Sequence, residues 1–310
     1  MTLRTKLLHG TTISLRAAAG RLARSLRRAP PERPAERTNR RIDEGYEHFR
    51  DLTRTPELRE VRFADGAAVV TLNDGRRYHW NPLQPAARMY TVPITGTFEP
   101  KETAFVRRSI TAGSVCIDVG ASFGWYSVLL SRLCGTAGHV HAFEPVPDTY
   151  DLLRRNLELN DCANVVANAV ALDGSPAHKT LYIPDIGVSG SFALHPFDRS
   201  YRSLSVETQT LDDYVATHGL ERLDFVKADI EGAELGLLQG AKRALSRFGP
   251  TLLLEVQGSS TALFGHEPAD VFRELKRYGY TAFSVDDDGG LVEVGDTRGE
   301  LPDYNFVFER

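Results

Sequence analysis

From residue 99 onward, short apolar runs alternate with stretches in which apolar residues recur every three or four positions. The runs Val115 to Val119, Val140 to Phe143, Val165 to Val170, Phe225 to Ala228 and Leu252 to Val256 are apolar on both faces, as strands of a parallel sheet covered by helices on both sides must be. Between them the spacing predicts helices over Ser127 to Leu133, Thr149 to Leu159, Leu211 to His218, Glu231 to Phe248 and Ala269 to Tyr278. Thr210 opens a T-x-x-D capping box with Asp213, Gly219 suits the left-handed end of that helix, and Gly249-Pro250 stops the next. The pattern then changes: Thr281 to Val285, Leu291 to Val294 and Tyr304 to Phe308 leave no room for helices. They predict antiparallel strands closing a mostly parallel α/β sheet over residues 99–310.

Residues 42–98 read differently. Three runs between Val61 and Trp80 are separated by Asp65-Gly66 and Asn73-Asp74-Gly75, which supply the positive φ of tight turns, so a three-stranded meander is expected. So small a sheet must lean on the main domain. Trp80, Tyr90 and Phe98 suit either packing or a substrate mouth.

Charge separates a third segment. Residues 1–41 hold eleven Lys/Arg against Glu32 and Glu36, a net of +9, which leaves 26 basic against 39 acidic residues and −13 for the rest of a chain whose net is −4. Leu15, Ala19, Leu22 and Leu26 share one side of a helical wheel and Arg16, Arg21, Arg24, Arg27 and Arg28 the other. Such a basic amphipathic arm suits peripheral contact with an anionic membrane face, an organellar transit peptide or a solvated terminus. Pro30, Pro31 and Pro34 follow as a linker. No window offers the roughly 18 apolar residues of a spanning helix, and three cysteines without a C-x-x-C pair imply neither a zinc site nor a disulfide framework. A cytoplasmic protein is expected, with the arm at the inner membrane face as the alternative.

The chemistry concentrates at strand ends. The strand ending in Val119 runs into Gly120-Ala121-Ser122-Phe123-Gly124 and then a helix, a loop that brings backbone close to a ligand and offers helix-start N–H groups to an anion. Its G-x-x-x-G spacing is not the G-x-G-x-x-G of pyrophosphate-binding enzymes. Glu144, 24 positions after Gly120, ends the next strand, where a carboxylate can accept both hydroxyls of a ribose or cap the following helix. Asp118 is placed to meet an ammonium group, or to be a buried strand residue. A ligand with an amino-acid end and a ribose but no pyrophosphate is S-adenosylmethionine.

The segments TFEPKETAFVRRSITAG (97–113), IDVGASFGWYS (117–127), AFEPVPDTYDLLRRNLELN (142–160), TLDDY (210–214), DFVKADIEGAELGLLQGA (224–241) and LLLEV (252–256) together resemble the FkbM-type S-adenosylmethionine-dependent methyltransferases. Ala228 and Ser122 depart from the Ile and Asn common in that family. The resemblance implies a Rossmann-like class I methyltransferase fold and methyl transfer to a hydroxyl of a sugar, glycan or natural product. It further implies that Val170 and Ala171 flank the adenine and that Glu99 approaches the methionine end.

On the acceptor side, Asp229 and Glu255 end neighbouring strands and Glu231 begins a helix, so three carboxylates converge where ligands bind open α/β sheets. Asp229, then Glu231, is the expected base for the hydroxyl proton, with His195 and His266 as rivals on loops. The carboxylates could instead hold Mg²⁺, which is not favoured. Helix-start stabilisation on a solvated face is the plain role for Glu231 and Glu234. Lys227, inside an apolar strand, must pair with one of these acids or lie near a substrate oxygen. The Gly- and Ser-rich insertion Pro184 to Arg202 either roofs the acceptor pocket or is an ordinary surface loop. Three alternatives stand beside O-methylation: a cofactor-binding regulator without chemistry, a nitrogen acceptor, and a nucleic-acid acceptor, which the acidic body opposes. The sequence carries no signal for oligomeric state.

Overall fold

A computed structural model describes residues 57–64, 67–80, 98–184, 201–295 and 301–310; the basic arm, Tyr90, His195 and the side chain of Trp80 lie outside what it describes. Strands β1 (Leu58–Ala64), β2 (Ala67–Leu72) and β3 (Arg77–Trp80) form the antiparallel meander expected from the two turn signals. Its edge strand β3 is not left bare. Asn160 and Asn156 accept the Arg77 and His79 N–H groups at 2.9 and 2.7 Å, a side-chain substitute for a neighbouring strand.

The main sheet contains β4 (Val115–Val119), β5 (His139–Phe143), β6 (Val165–Asn168), β10 (Phe225–Ala228), β11 (Thr251–Glu255), β12 (Thr281–Val285), β13 (Leu291–Glu293) and β14 (Asn305–Glu309). Its order is β13-β12-β14-β11-β10-β4-β5-β6. β11, β10, β4, β5 and β6 run parallel to one another, and β14, β12 and β13 finish the sheet antiparallel, as the loss of helical spacing after residue 281 predicts. β7 (Ala171–Leu172), β8 (Ala177–Pro184) and β9 (Tyr201–Gln209) make a separate sheet in the order β7-β9-β8.

Apart from an α-helical turn at Gly258–Thr261 and a 3-10 turn at Ala262–Phe264, the helices of the described residues are α1 (Pro100–Ser109), α2 (Trp125–Cys134), α3 (Pro147–Leu159), α4 (Leu211–Thr217), α5 (Glu234–Gln239), α6 (Lys242–Phe248) and α7 (Pro268–Lys276). Residues of α1, α2 and α3 share one buried cluster with Cys116, Phe225 and Leu253, while those of α4 to α7 share another with Ile117, Val226 and Leu254. Period-two alternation along each strand thus feeds two cores, one on each face. Among the described residues no helix is long and apolar enough to cross a membrane.

Three elements differ from expectation. Helix α1 was not anticipated, because its buried stripe includes Glu102 and Thr103 beside Phe105 and Val106, so the apolar pattern is too thin to show it. The third strand ends at Asn168, leaving Val170 outside any strand and Ala171 opening β7. The single helix expected over Glu231 to Phe248 is two, α5 and α6, and neither includes Glu231. Of the expected box at Thr210, the structure shows the hydroxyl accepting the Asp213 N–H at 3.0 Å, and Gly219 and Gly249 have φ of 61° and 58°.

Candidate active site

β5 and β10 flank β4 on opposite sides, so the chain reverses direction across the sheet there and leaves a crevice beyond the strand ends. Gly120 takes φ 74°, and a Cβ there would overlap the Asp229 carbonyl oxygen; only glycine lets the β4 loop lie this close to the end of β10. The loop's amides are largely spent inside the protein. Gly120 and Ala121 both donate to the Phe143 carbonyl at 3.0 and 2.9 Å, and Ser122, itself at φ 50°, donates to Glu144. These three amides are therefore not among the donors that the helix start offers to an anion. Gly124, the first residue before α2, donates to Ala121.

Glu144 is 6% exposed at the crevice wall. Oε2 accepts the Ser122 N–H at 3.0 Å and Oε1 the Val146 N–H at 2.9 Å, so each oxygen keeps one further acceptor position. Burial pushes its carboxyl up to about 7 against the pull of those two donors.

Asp118 and Lys227 stand directly opposite each other on β4 and β10, both almost wholly buried. Asp118 Oδ2 accepts the Ser127 hydroxyl at 2.6 Å, and burial holds its carboxyl above the usual range despite Lys227 nearby. Lys227 Nζ lies 3.3 Å from Asp229 Oδ2 and 5.1 Å from the centre of the Tyr126 ring. Burial alone would lower this lysine's pKa, but Asp229, Glu99, Asp118 and Glu255 outweigh it and raise it, so the ammonium persists. Glu99, at φ 45° just before α1, accepts the Tyr126 hydroxyl at 2.6 Å, and burial raises its pKa.

The three acceptor-side carboxylates do come together: Asp229, Glu231 and Glu255 each place an oxygen within 4.8 Å of the others. Burial, with Asp229 and Glu231 close by, pushes Glu255 up to about 10, so at neutral pH it carries a proton in its hydrogen bond with Asp229. The trio could ligate a divalent cation. The Lys227 ammonium already supplies positive charge beside Asp229.

The loop carrying Glu231 is clamped from two sides. Glu231 does not begin a helix: it takes φ 55° in a turn, and α5 starts three residues later. Glu234, expected on a solvated face, is fully buried, its Oε1 accepting the Ile230 and Gly232 N–H groups at 3.3 and 3.2 Å. His266 donates Nε2–H to the Gly232 carbonyl at 3.0 Å, so that nitrogen supports the loop and is not free to take a substrate proton. Ala171 lines the crevice, as do Leu181, Ile183 and Arg202 from the ends of β8 and β9, whereas Val170 packs against the second core.

A family model described as the methyltransferase FkbM domain matches residues 118–282, over half of the chain. The chain belongs to the FkbM methyltransferase domain family. It is 31% identical over 153 residues to methyltransferase sdnD of Sordaria araneosa, covering 40% of this chain and 59% of sdnD. It is 27% identical over 158 residues to the hexuronic acid methyltransferase AglP of Haloferax volcanii, covering 51% of this chain and 59% of AglP. It is 25% identical over 202 residues to the 31-O-demethyl-FK506 methyltransferase FkbM of Streptomyces tacrolimicus, covering 56% and 75%. The chain thus spans less than two thirds of the length of sdnD and AglP.

Within this FkbM-family site, sequence reasoning missed Tyr126, Ser127 and the buried role of Glu234. Tyr126 and Ser127 follow the glycine loop in the first turn of α2, a position that faces the strand ends. That placement was the available signal. For Glu234 there was none, because its partners are backbone amides of a turn the sequence reads as helix.

Proposed function

We propose that this chain is an S-adenosylmethionine-dependent O-methyltransferase acting on a hydroxyl of a sugar, glycan or other natural product. The observation that carries the reading is the buried Glu144 carboxylate. It faces the crevice beside a loop pressed against β10, in a chain of the FkbM family. A carboxylate raised to about 7 by burial, with one acceptor position spare on each oxygen, fits a vicinal diol that would hydrogen-bond its charged form. When bound, the cofactor supplies a methyl group on a sulfonium.

The chain's own residues divide the remaining work. Glu144 would hold the ribose, the Gly120 to Gly124 backbone and Ala171 would flank the nucleoside, and Asp118 and Glu99 would face the ammonium end. Asp229 would accept the acceptor hydroxyl's proton, with Lys227 steadying its charge and Glu255 donating to it. Positioning is the larger share, since an in-line displacement depends on holding the two reactants close and collinear. Two matched relatives are named for a hexuronic acid and for 31-O-demethyl-FK506, which supports a hydroxyl-bearing acceptor.

The test is conversion of S-adenosylmethionine to S-adenosylhomocysteine with a panel of sugar and polyol acceptors, alongside calorimetry with sinefungin. Asp229→Asn should slow turnover by about 10²-fold or more while sinefungin affinity stays within a few-fold. Turnover at the parent rate would remove Asp229 from the mechanism. A wild-type protein that does not bind sinefungin would sink the cofactor reading itself.

A further inference from the structure

A second cleft lies beside the crevice, and the loop after β10 is their shared wall. Asp229, Ile230 and Glu231 face the crevice; Gly232 and Ala233 face the cleft. From strand β8, Leu181 and Ile183 line the crevice, and Lys179, Thr180 and Tyr182 line the cleft. The opposite side is built by Gln239 of α5 and by Phe264 and His266.

This lining has a definite chemical character. Tyr182 and Phe264 are half-buried aromatic rings, while Gln239, Thr180 and His266 carry hydrogen-bonding groups. The lysine among its described lining residues, Lys179, is paired with Asp173, also in the lining, so the pair adds no net charge to the cleft. Apolar faces with a few convergent polar groups form the usual make-up of a small-molecule site. A sugar ring has one face of C–H bonds and a rim of hydroxyls, which matches this set. Resting on the methyltransferase reading, we propose that the cleft binds an uncharged saccharide ring of the acceptor.

The experiment is saturation-transfer NMR on the sinefungin-loaded full chain, with methyl β-glucoside, methyl α-mannoside and methyl α-rhamnoside as probes. At least one sugar should receive saturation. Tyr182→Ala should reduce the transfer by about fivefold or more, and Gln239→Ala by about threefold, as truncation of contacts in a small site does. Gln239 is exposed, so its variant reads the cleft without threatening the fold. Sinefungin affinity should stay within about twofold in both, because neither residue lines the crevice. Sinefungin binding with no transfer to any sugar, or transfer unchanged in both variants, overturns the saccharide site and leaves the cofactor reading standing. Absence of sinefungin binding overturns both.

Discussion

Glu144 carries a proton equilibrium that its function can use. Burial lifts its carboxyl from 4.5 to about 7, so without a ligand it is half protonated near neutrality. Ribose hydroxyls donate best to the charged form, so binding must pull the proton off. Affinity for S-adenosylhomocysteine should therefore be flat above pH 8 and fall as pH drops through 7, by up to about tenfold per unit. Glu144→Gln should bind weakly at pH 8 and show no slope between pH 6 and 8 by calorimetry; a sloped variant or a flat parent would contradict the assignment. The same shift means that the ligand-free protein, which binds more protons folded than unfolded, loses stability as pH rises from 4.5 through 7. Glu144 and Asp118 were legible in the sequence because a carboxylate at the end of an apolar strand is conspicuous. Glu234 was not: the same residue type, one turn from Glu231, is fully buried only because the backbone of 230–232 folds back onto it. No pattern of side chains announces a carboxylate whose partners are main-chain amides.

At the scale of elements, the break between α5 and α6 shows what periodicity leaves out. The residues from 231 to 248 keep helical spacing, yet the chain turns at Gly240, where a Cβ would overlap the Asp173 carbonyl oxygen. The new helix start is stabilised from a distance. The Asp212 carboxylate on α4 accepts the Ala244 and Arg243 N–H groups at 2.8 and 2.9 Å, taking the part of a cap that Ala241 lacks. Both partners lie about thirty or more residues away in sequence, so single-sequence reasoning had nothing to read there, whereas the local caps at Thr210, Gly219 and Gly249 were all visible. Gly240→Ala should cost about 2 kcal/mol and lower Tm by several degrees, because backbone must move. Gly219→Ala, with φ 61° and open space around its Cβ, should cost only about 1 kcal/mol of backbone strain. Calorimetric melts of the two variants compare them directly, and an equal loss would mean that the Gly240 contact relaxes freely.

At the scale of the molecule, a buried cation stands at the centre of the joint between the meander and the α/β body, beside the Asn156 and Asn160 contacts to β3 and the shared core. Arg76 is fully buried, its guanidinium 4.2 Å from the centre of the Trp125 ring, donating to Asp74 at 2.7 Å and to the Tyr78 hydroxyl at 3.2 Å. Asp74 in turn accepts from Arg107 of α1, and Arg132 of α2 donates to the Asp74 and Gly75 carbonyls at 2.8 Å. The turn signal Asn73-Asp74-Gly75 thus foretold the hairpin but not that its aspartate is the knot tying sheet to helices. Burial would raise the Asp74 carboxyl, yet Arg76 and Arg107 hold it down at about 2. Arg76→Ala removes a buried partner together with the packing on Trp125 and should cost about 3 kcal/mol. Arg76→Met keeps the packing and should cost less. Because the folded pKa of Asp74 is depressed, its contribution is present above pH 4 and lost as pH falls through about 2, so the stability gap between parent and Arg76→Ala should narrow across that window. Urea melts from pH 2 to 7, followed by tryptophan fluorescence and far-UV circular dichroism, read both effects. The two probes should fall together, since Trp125 belongs to the cluster that the meander and body share. Separate transitions would show that the meander detaches on its own and that Arg76 is no tie between the two.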